Sequence, residues 1–219
     1  MSERNSPGLP GGDSELCIQV SSAYHTRAIG AVLGSLLEGG EVIGLVGELG
    51  AGKTCFVQGL AVGLGVPPEA YVCSPTFALW NHHQGRLPLY HVDLFRLADP
   101  DEAASMGYED LFDGQAVVAI EWFDSFPELW PRDHLRVVLS DGIRDRPGAV
   151  CGPGALPRAS TGSRGDVLGS VVTGGDLGSG PGEDLALECC PRTIGVRGVG
   201  PRGEDLANRF RAALASAKA

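Results

Sequence analysis

The chain has 219 residues, a formal net charge of −10, 43% hydrophobic residues and 20% charged ones. That length suffices for one domain with a real core, plus an appendage. The acidic balance argues against a broad surface for naked nucleic acid, though RNA can still be reached through a partner protein. Cys17, Cys55, Cys73, Cys151, Cys189 and Cys190 include no C-x-x-C pair, so neither a zinc site nor a disulfide framework is indicated. No apolar segment follows Met1 and no apolar run reaches spanning length. A soluble, reducing, cytoplasmic setting without membrane contact is the expectation.

Residues 1–14 are Ser, Pro and Gly with scattered charge, a composition expected to be disordered. Residues 15–141 read as the core of the domain. Leu16–Val20 is a short apolar strand, and Ser21-Ser22 offers a helix N-cap. Ile29, Val32, Leu33, Leu36 and Leu37 then recur at helical spacing until Gly39-Gly40. The start of this helix can lie near a ligand of the next segment. Thr26 is the candidate there, with an ordinary helix hydroxyl as the equal alternative.

The most informative stretch follows. The apolar run Val42–Val46 leads into Gly47-Glu48-Leu49-Gly50-Ala51-Gly52-Lys53-Thr54, and then into a helical segment beginning at Cys55 that ends near Gly65-Val66-Pro67-Pro68. This is G-x-x-x-x-G-K-[ST] between a strand and a helix, the context that supports a phosphate-binding loop. Gly47, Gly50 and Gly52 let backbone N–H groups turn inward around an anion. The helix N-terminus adds partial positive charge. Lys53 brings a point charge to the β- and γ-phosphates, and the Thr54 hydroxyl can ligate Mg²⁺. The nucleotide-binding candidates are therefore Gly47 through Cys55.

Ser74-Pro75-Thr76 precedes a strand. It reads equally as a switch loop that senses the γ-phosphate or as a plain strand-entry turn. Gln84-Gly85-Arg86 predicts a hairpin turn between strands at Phe77–His82 and Leu89–Phe95. Asp93 stands in that otherwise apolar second strand. A buried carboxylate is costly unless paired or facing a metal, which makes Asp93 a functional candidate. His82, His83 and His91 show no ligand spacing and read as core or surface histidines. Asp99-Pro100-Asp101-Glu102 opens a short acidic-capped helix. Ala116–Trp122 is an apolar strand closing on Glu121, the position of a Walker-B acid for Mg²⁺. Trp122 beside it can stack, gate or simply pack.

Leu135–Leu139 is a further strand. From Gly142 to Gly182 the chain holds twelve Gly and four Pro and no aromatic residue, so this stretch reads as a flexible insertion. Residues 183–219 then complete the domain: Leu185–Cys190 and Thr193–Val196 as strands, and Gly203–Ala217 as a helix with Leu206, Phe210 and Leu214 on one stripe. From Arg192 onward the tail is locally basic, a solvated face or a docking edge. The fold class expected is α/β, a P-loop NTPase with a mixed central sheet flanked by helices.

Four motifs stand in one order: GELGAGKT, SPTF, YHVDLFRL and IEW. Together they resemble the TsaE (YjeE) family, the small bacterial ATPase of tRNA threonylcarbamoyladenosine synthesis. The resemblance spans roughly Leu16 to Leu139, and more loosely the last forty residues. It implies ATP and Mg²⁺ as cofactors and slow hydrolysis by the protein alone. It also implies two partner proteins, TsaB- and TsaD-like, through which tRNA is reached for threonylcarbamoyl transfer to the adenosine next to the anticodon. On this resemblance Lys53 contacts phosphate, Thr54 and Glu121 hold Mg²⁺, Asp93 is needed for hydrolysis, and Trp122 belongs to the same site. The catalytic candidates are thus Asp93, Glu121 and Lys53. Phe77 and Ala78 depart from the family's usual Tyr and Thr, and the Gly142–Gly182 stretch is an addition. Two other classes share the P-loop: a small-molecule kinase and a nucleotide-gated binding module without useful turnover. A GTPase has less support, since no N/T-K-x-D motif is evident.

Overall fold

The computed structural model describes residues 15–75, 78–112, 114–141 and 192–217. The strands are β1 (Leu16–Val20), β2 (Val42–Val46), β3 (Trp80–His83), β4 (Leu89–Asp93), β5 (Val117–Glu121), β6 (His134–Asp141) and β7 (Arg192–Val199). The helices are α1 (Ala23–Leu36), α2 (Lys53–Gly63), α3 (Pro100–Ser105) and α4 (Gly200–Ser216). One seven-stranded sheet runs in the order β1-β7-β6-β2-β5-β4-β3. Its centre is parallel, β6-β2-β5-β4, and both flanks are antiparallel. This is the mixed α/β architecture that the sequence predicts.

Every residue of β2 and β5 is buried. Helices cover both faces of a parallel sheet, so such strands are apolar throughout rather than alternating. Strand periodicity still sorts their side chains. Ile43, Leu45, Val117 and Ala119 join the core under α1, α2 and α4, with Phe56, Leu60 and Phe210. Val42, Val46, Val118 and Ile120 join the core on the other face, with Tyr108 and Phe123. At Gly44 an added Cβ would stand 2.2 Å from the Phe123 ring, so the bare backbone there lets that ring seat against β2.

Helices α1 and α2 approach backbone to backbone. A Cβ at Gly30 would lie 2.4 Å from the Phe56 carbonyl, and one at Gly59 would lie 2.0 Å from that of Arg27. No side chain fits between them, and the contact fixes where α2 begins. Ser22 caps α1 by accepting from the His25 N–H, as its position in the sequence predicts.

Several ends differ from the sequence reading. β4 stops at Asp93 because the Asp93 carboxylate accepts the Phe95 N–H at 2.9 Å, a local turn that competes with the ladder. β5 stops at Glu121 because Trp122 takes a left-handed backbone, φ 58°. α4 starts at Gly200, with Pro201 in its first turn, three residues earlier than periodicity suggests. Residues 1–14 and 142–182, and the strand expected at Leu185–Cys190, lie outside the described residues. Among the described residues no helix is long and apolar enough to cross a membrane.

Asp141 and Arg192, the described residues on either side of 142–191, are paired antiparallel neighbours. A short hairpin can therefore close the same gap, since loop length changes closure entropy by only about 0.6 kcal/mol per doubling. Replacing residues 142–190 with a short Gly-Ser turn is expected to leave a soluble protein with its thermal midpoint within a few degrees. Insoluble protein would show that the stretch is structural.

Candidate nucleotide site

In an open parallel sheet, ligands gather at the carboxyl ends of the strands. Here β2, β5 and β4 end side by side, with Leu45 paired to Glu121 and Asp93 paired to Glu121. The loop Gly47–Gly52 leaves β2 at this edge and enters α2. Gly47, Gly50 and Gly52 have φ of 153°, 82° and 99°, all in the region that suits glycine. A Cβ at Gly47 would also meet the Leu139 carbonyl at 2.4 Å. Glu48, Leu49 and Gly50 are exposed at the tip. Gly52 is the N-cap of α2 and offers no side-chain cap. The first-turn N–H groups, including those of Lys53, Thr54 and Cys55, thus have no intrahelical acceptor. Such a cradle suits a phosphate chain.

Lys53 is only 4% exposed. Its Nζ donates to the carbonyls of Gly47 at 2.7 Å and Glu48 at 3.0 Å and lies 3.7 Å from the centre of the Trp122 ring. Burial pushes its ammonium pKa down, against the opposing pull of Glu121, Asp93, Asp124 and Glu48. Trp122 also meets Phe95, with ring centres 4.8 Å apart. A left-handed backbone at a bulky residue costs on the order of 1–3 kcal/mol, and here it carries the indole to the lysine.

Thr54 Oγ1 donates to Glu121 Oε1 at 2.7 Å. The same oxygen accepts from His91 Nε2 at 2.8 Å. His91 is fully buried, and Glu121 is 3% exposed. This hydroxyl and carboxylate are hard oxygen ligands set side by side. They fit Mg²⁺, which takes one or two protein oxygens and completes its shell with phosphate and water. Among the described residues no group of three or more His, Cys, Asp or Glu forms a self-sufficient metal cage. Asp93 accepts the Ser74 hydroxyl through Oδ2 and the Phe95 N–H through Oδ1. The loop that carries Ser74 is thereby tied to the carboxylate. Arg96 holds the same loop through the carbonyls of Pro75 at 3.1 Å and Ala78 at 3.0 Å. Thr76 and Phe77 lie outside the described residues.

Most of the predicted residues meet: Gly47 through Cys55 form the loop, and Lys53, Thr54, Asp93, Glu121 and Trp122 line one end of it. Thr26 does not join them. It is fully buried, and its hydroxyl turns back onto the Ser22 carbonyl at 3.2 Å, the usual bond of a helix threonine. The start of α1 does reach the loop helix, through Cys55 Sγ donating to the Ala23 carbonyl at 3.2 Å. Burial raises the Cys55 thiol pKa, so this is a packing sulfur. The residue missed in the sequence is His91. Its signal was period two: two positions before Asp93, it must share that residue's face of β4.

Fold and loop together define a protein of the P-loop nucleotide-binding class. The family model for TsaE, "Threonylcarbamoyl adenosine biosynthesis protein TsaE", matches residues 20–146. The Treponema pallidum tRNA threonylcarbamoyladenosine biosynthesis protein TsaE is 45% identical over 128 residues, covering 57% of this chain and 93% of that protein. The TsaE of Nostoc sp. is 43% identical over 130 residues, 57% of this chain and 78% of that protein. The crystal structure of Bacillus subtilis YdiB superimposes with a TM-score of 0.58 at 24% identity, over 91% of this chain and 95% of that one, a likeness of fold. The chain belongs to the TsaE family, which takes part in tRNA threonylcarbamoyladenosine biosynthesis.

Removing His91 strips the buried Glu121 carboxylate of one donor. His91→Ala is expected to lower unfolding free energy by about 1–3 kcal/mol, measured by urea denaturation. An unchanged midpoint would mean that the His91–Glu121 bond contributes nothing to stability.

Proposed function

We propose that this chain is a Mg²⁺-dependent ATPase. It supports threonylcarbamoyl transfer to the adenosine next to the tRNA anticodon, in the cytoplasm, together with two partner proteins of the TsaB and TsaD kinds. The observation that carries the reading is the Thr54–Glu121 contact at 2.7 Å, with Asp93 in register beside it at the mouth of the loop.

The residues divide the work as follows. The loop amides and Lys53 bind the phosphate chain, and Lys53 must turn from the Gly47 and Glu48 carbonyls to do so. Thr54 and Glu121 hold Mg²⁺, which when bound neutralises charge on the β- and γ-phosphates. His91 keeps the Glu121 carboxylate aimed at Thr54. Asp93 places the attacking water, with Ser74 and the Phe95 N–H holding its carboxylate still. Phosphoryl transfer depends mainly on positioning and charge stabilisation, so these roles suffice. Trp122 forms the apolar floor under Lys53.

A small-molecule kinase needs an acceptor pocket beside the loop. Two cavities among the described residues lie away from the loop. One, of about 300 Å³, is lined by Tyr108, Phe112, Leu129 and Trp130, and the other by Glu41, His134 and Arg202.

Asp93→Asn and Glu121→Gln separate the roles. Asp93→Asn is expected to keep ATP affinity and to lose about 100-fold in hydrolysis rate. Glu121→Gln is expected to shift the Mg²⁺ dependence to higher concentration. Unchanged hydrolysis in both would leave the carboxylates structural and end the catalytic reading. Hydrolysis measured alone, then with the two partners and tRNA, tests the placement in the pathway, where a rise with the partners is expected. The acidic net charge also predicts little tRNA retention by this chain alone at physiological salt, and submicromolar, salt-sensitive gel shifts would contradict it.

A further inference from the structure

The loop has a cation on each side. Lys53 lies on the β5 side, over Trp122. On the other side, beyond β6, the first residue of β7 is Arg192. Its guanidinium reaches across the end of β6 to the loop. A Cβ built on Gly52 would stand 2.8 Å from an Arg192 terminal nitrogen, with the Leu139 side chain at 3.9 Å. Gly52 is the uncapped N-cap of α2, and the first turn of α2 contains no acid. Arg192 stands opposite Asp141 in the β6–β7 ladder, and the ion pairs among the described side chains, His91 with Glu121 and Arg209 with Glu38 and Asp205, do not include it. Other arginines of the basic tail have anchors. Arg209 binds Glu38, Asp205 and the Leu36 carbonyl, and Arg211 binds Asn208.

A guanidinium held against the N-terminal end of a helix is placed against the dipole. The arrangement brings together Arg192, Lys53 and the uncapped amides of α2, all of one sign. An anion lying between them removes the repulsion and uses every donor, and a planar guanidinium fits phosphate oxygens in a fork. We propose that Arg192 is a second phosphate-binding cation of the nucleotide site, reaching the bound phosphate chain from the β7 side while Lys53 reaches it from the β5 side. The proposal rests on the nucleotide reading above and adds a residue from outside the stretch that the family model matches, which ends at residue 146. It also gives Gly52 a second constraint: a side chain there would occupy the space of the guanidinium.

The test compares Arg192→Gln, Arg192→Lys and Lys53→Ala with the parent, by titration with a fluorescent ATP analogue and Mg²⁺ at low and at physiological salt. Thermal unfolding accompanies each variant. Arg192→Gln is expected to bind about tenfold more weakly with a shallower salt dependence and an unchanged thermal midpoint, the loss of roughly one charge-assisted contact. Arg192→Lys is expected to recover part of that affinity, since it keeps the charge but not the fork. Arg192→Gln binding within twofold of the parent while Lys53→Ala binds weakly would overturn the proposal and leave the nucleotide site standing. A lysine variant no better than the glutamine one would also overturn it. If Lys53→Ala binds as the parent does, the nucleotide reading fails and this inference fails with it.

Discussion

The Glu121 carboxylate is the constraint around which the site is built. It ends a strand whose other four residues are all buried, and it is itself almost wholly buried. An ionised carboxylate in that position is tolerable only with donors or a cation around it. Two elements meet the requirement. Thr54 comes from the start of α2 and His91 from β4, each with a hydrogen bond to the same oxygen. Lys53, beside Thr54 in the first turn of α2, adds its charge. Satisfying this one group fixes the register of β4 against β5, the axial position of α2 and the seat of the loop. The glycine contact between α1 and α2 serves the same end from behind, because α2 can start at only one height when its backbone touches α1 directly.

Lys53 in this structure is a folded-in lysine. Its Nζ bonds to two carbonyls of its own loop and sits over an indole, an arrangement that compensates its burial internally. On the proposed function, phosphate oxygens compete for the same three protons of the ammonium. Binding thus exchanges neutral acceptors for charged ones, and charge-assisted bonds are roughly twice as strong. The exchange would free the Gly47 and Glu48 carbonyls. The resting contacts hold the side chain in place at modest cost, so little conformational entropy remains to be lost on binding.

Much of this was legible in the chain because the relevant signals are local. The apolar run Val42–Val46, the glycine spacing after it and the Ser22 cap are short-range patterns, and the structure places β2, the loop and α1 where those patterns predict. Glu121 was legible because an acid at the end of an apolar strand breaks a pattern. What the chain could not display was pairing. Nothing near His91 in sequence says that β4 lies beside β5, and without that neighbour it looks like any core histidine. Thr26 failed in the opposite way. Its chain position brought it near the loop helix, but a helix threonine satisfies its hydroxyl on the carbonyl four residues back, and this local bond wins. The strand ends also moved, at Asp93 and Trp122, where a side chain or a left-handed residue interrupts the ladder.

The two strand ends are themselves part of the chemistry. The turn made by Asp93 and the Phe95 N–H ends the ladder and presents the carboxylate at the sheet edge beside Glu121. Had β5 continued past Glu121, Trp122 would follow strand alternation and point to the opposite face from Glu121, toward the Phe123 and Tyr108 core. Its left-handed backbone brings the indole to Lys53 while it still packs against that core. That turn is stored strain, and the cation–π contact together with the Phe95 packing offsets it. The same backbone feature that shortens the strand therefore supplies the lysine's apolar support. A glycine at this position would relieve the strain and remove the support in one step.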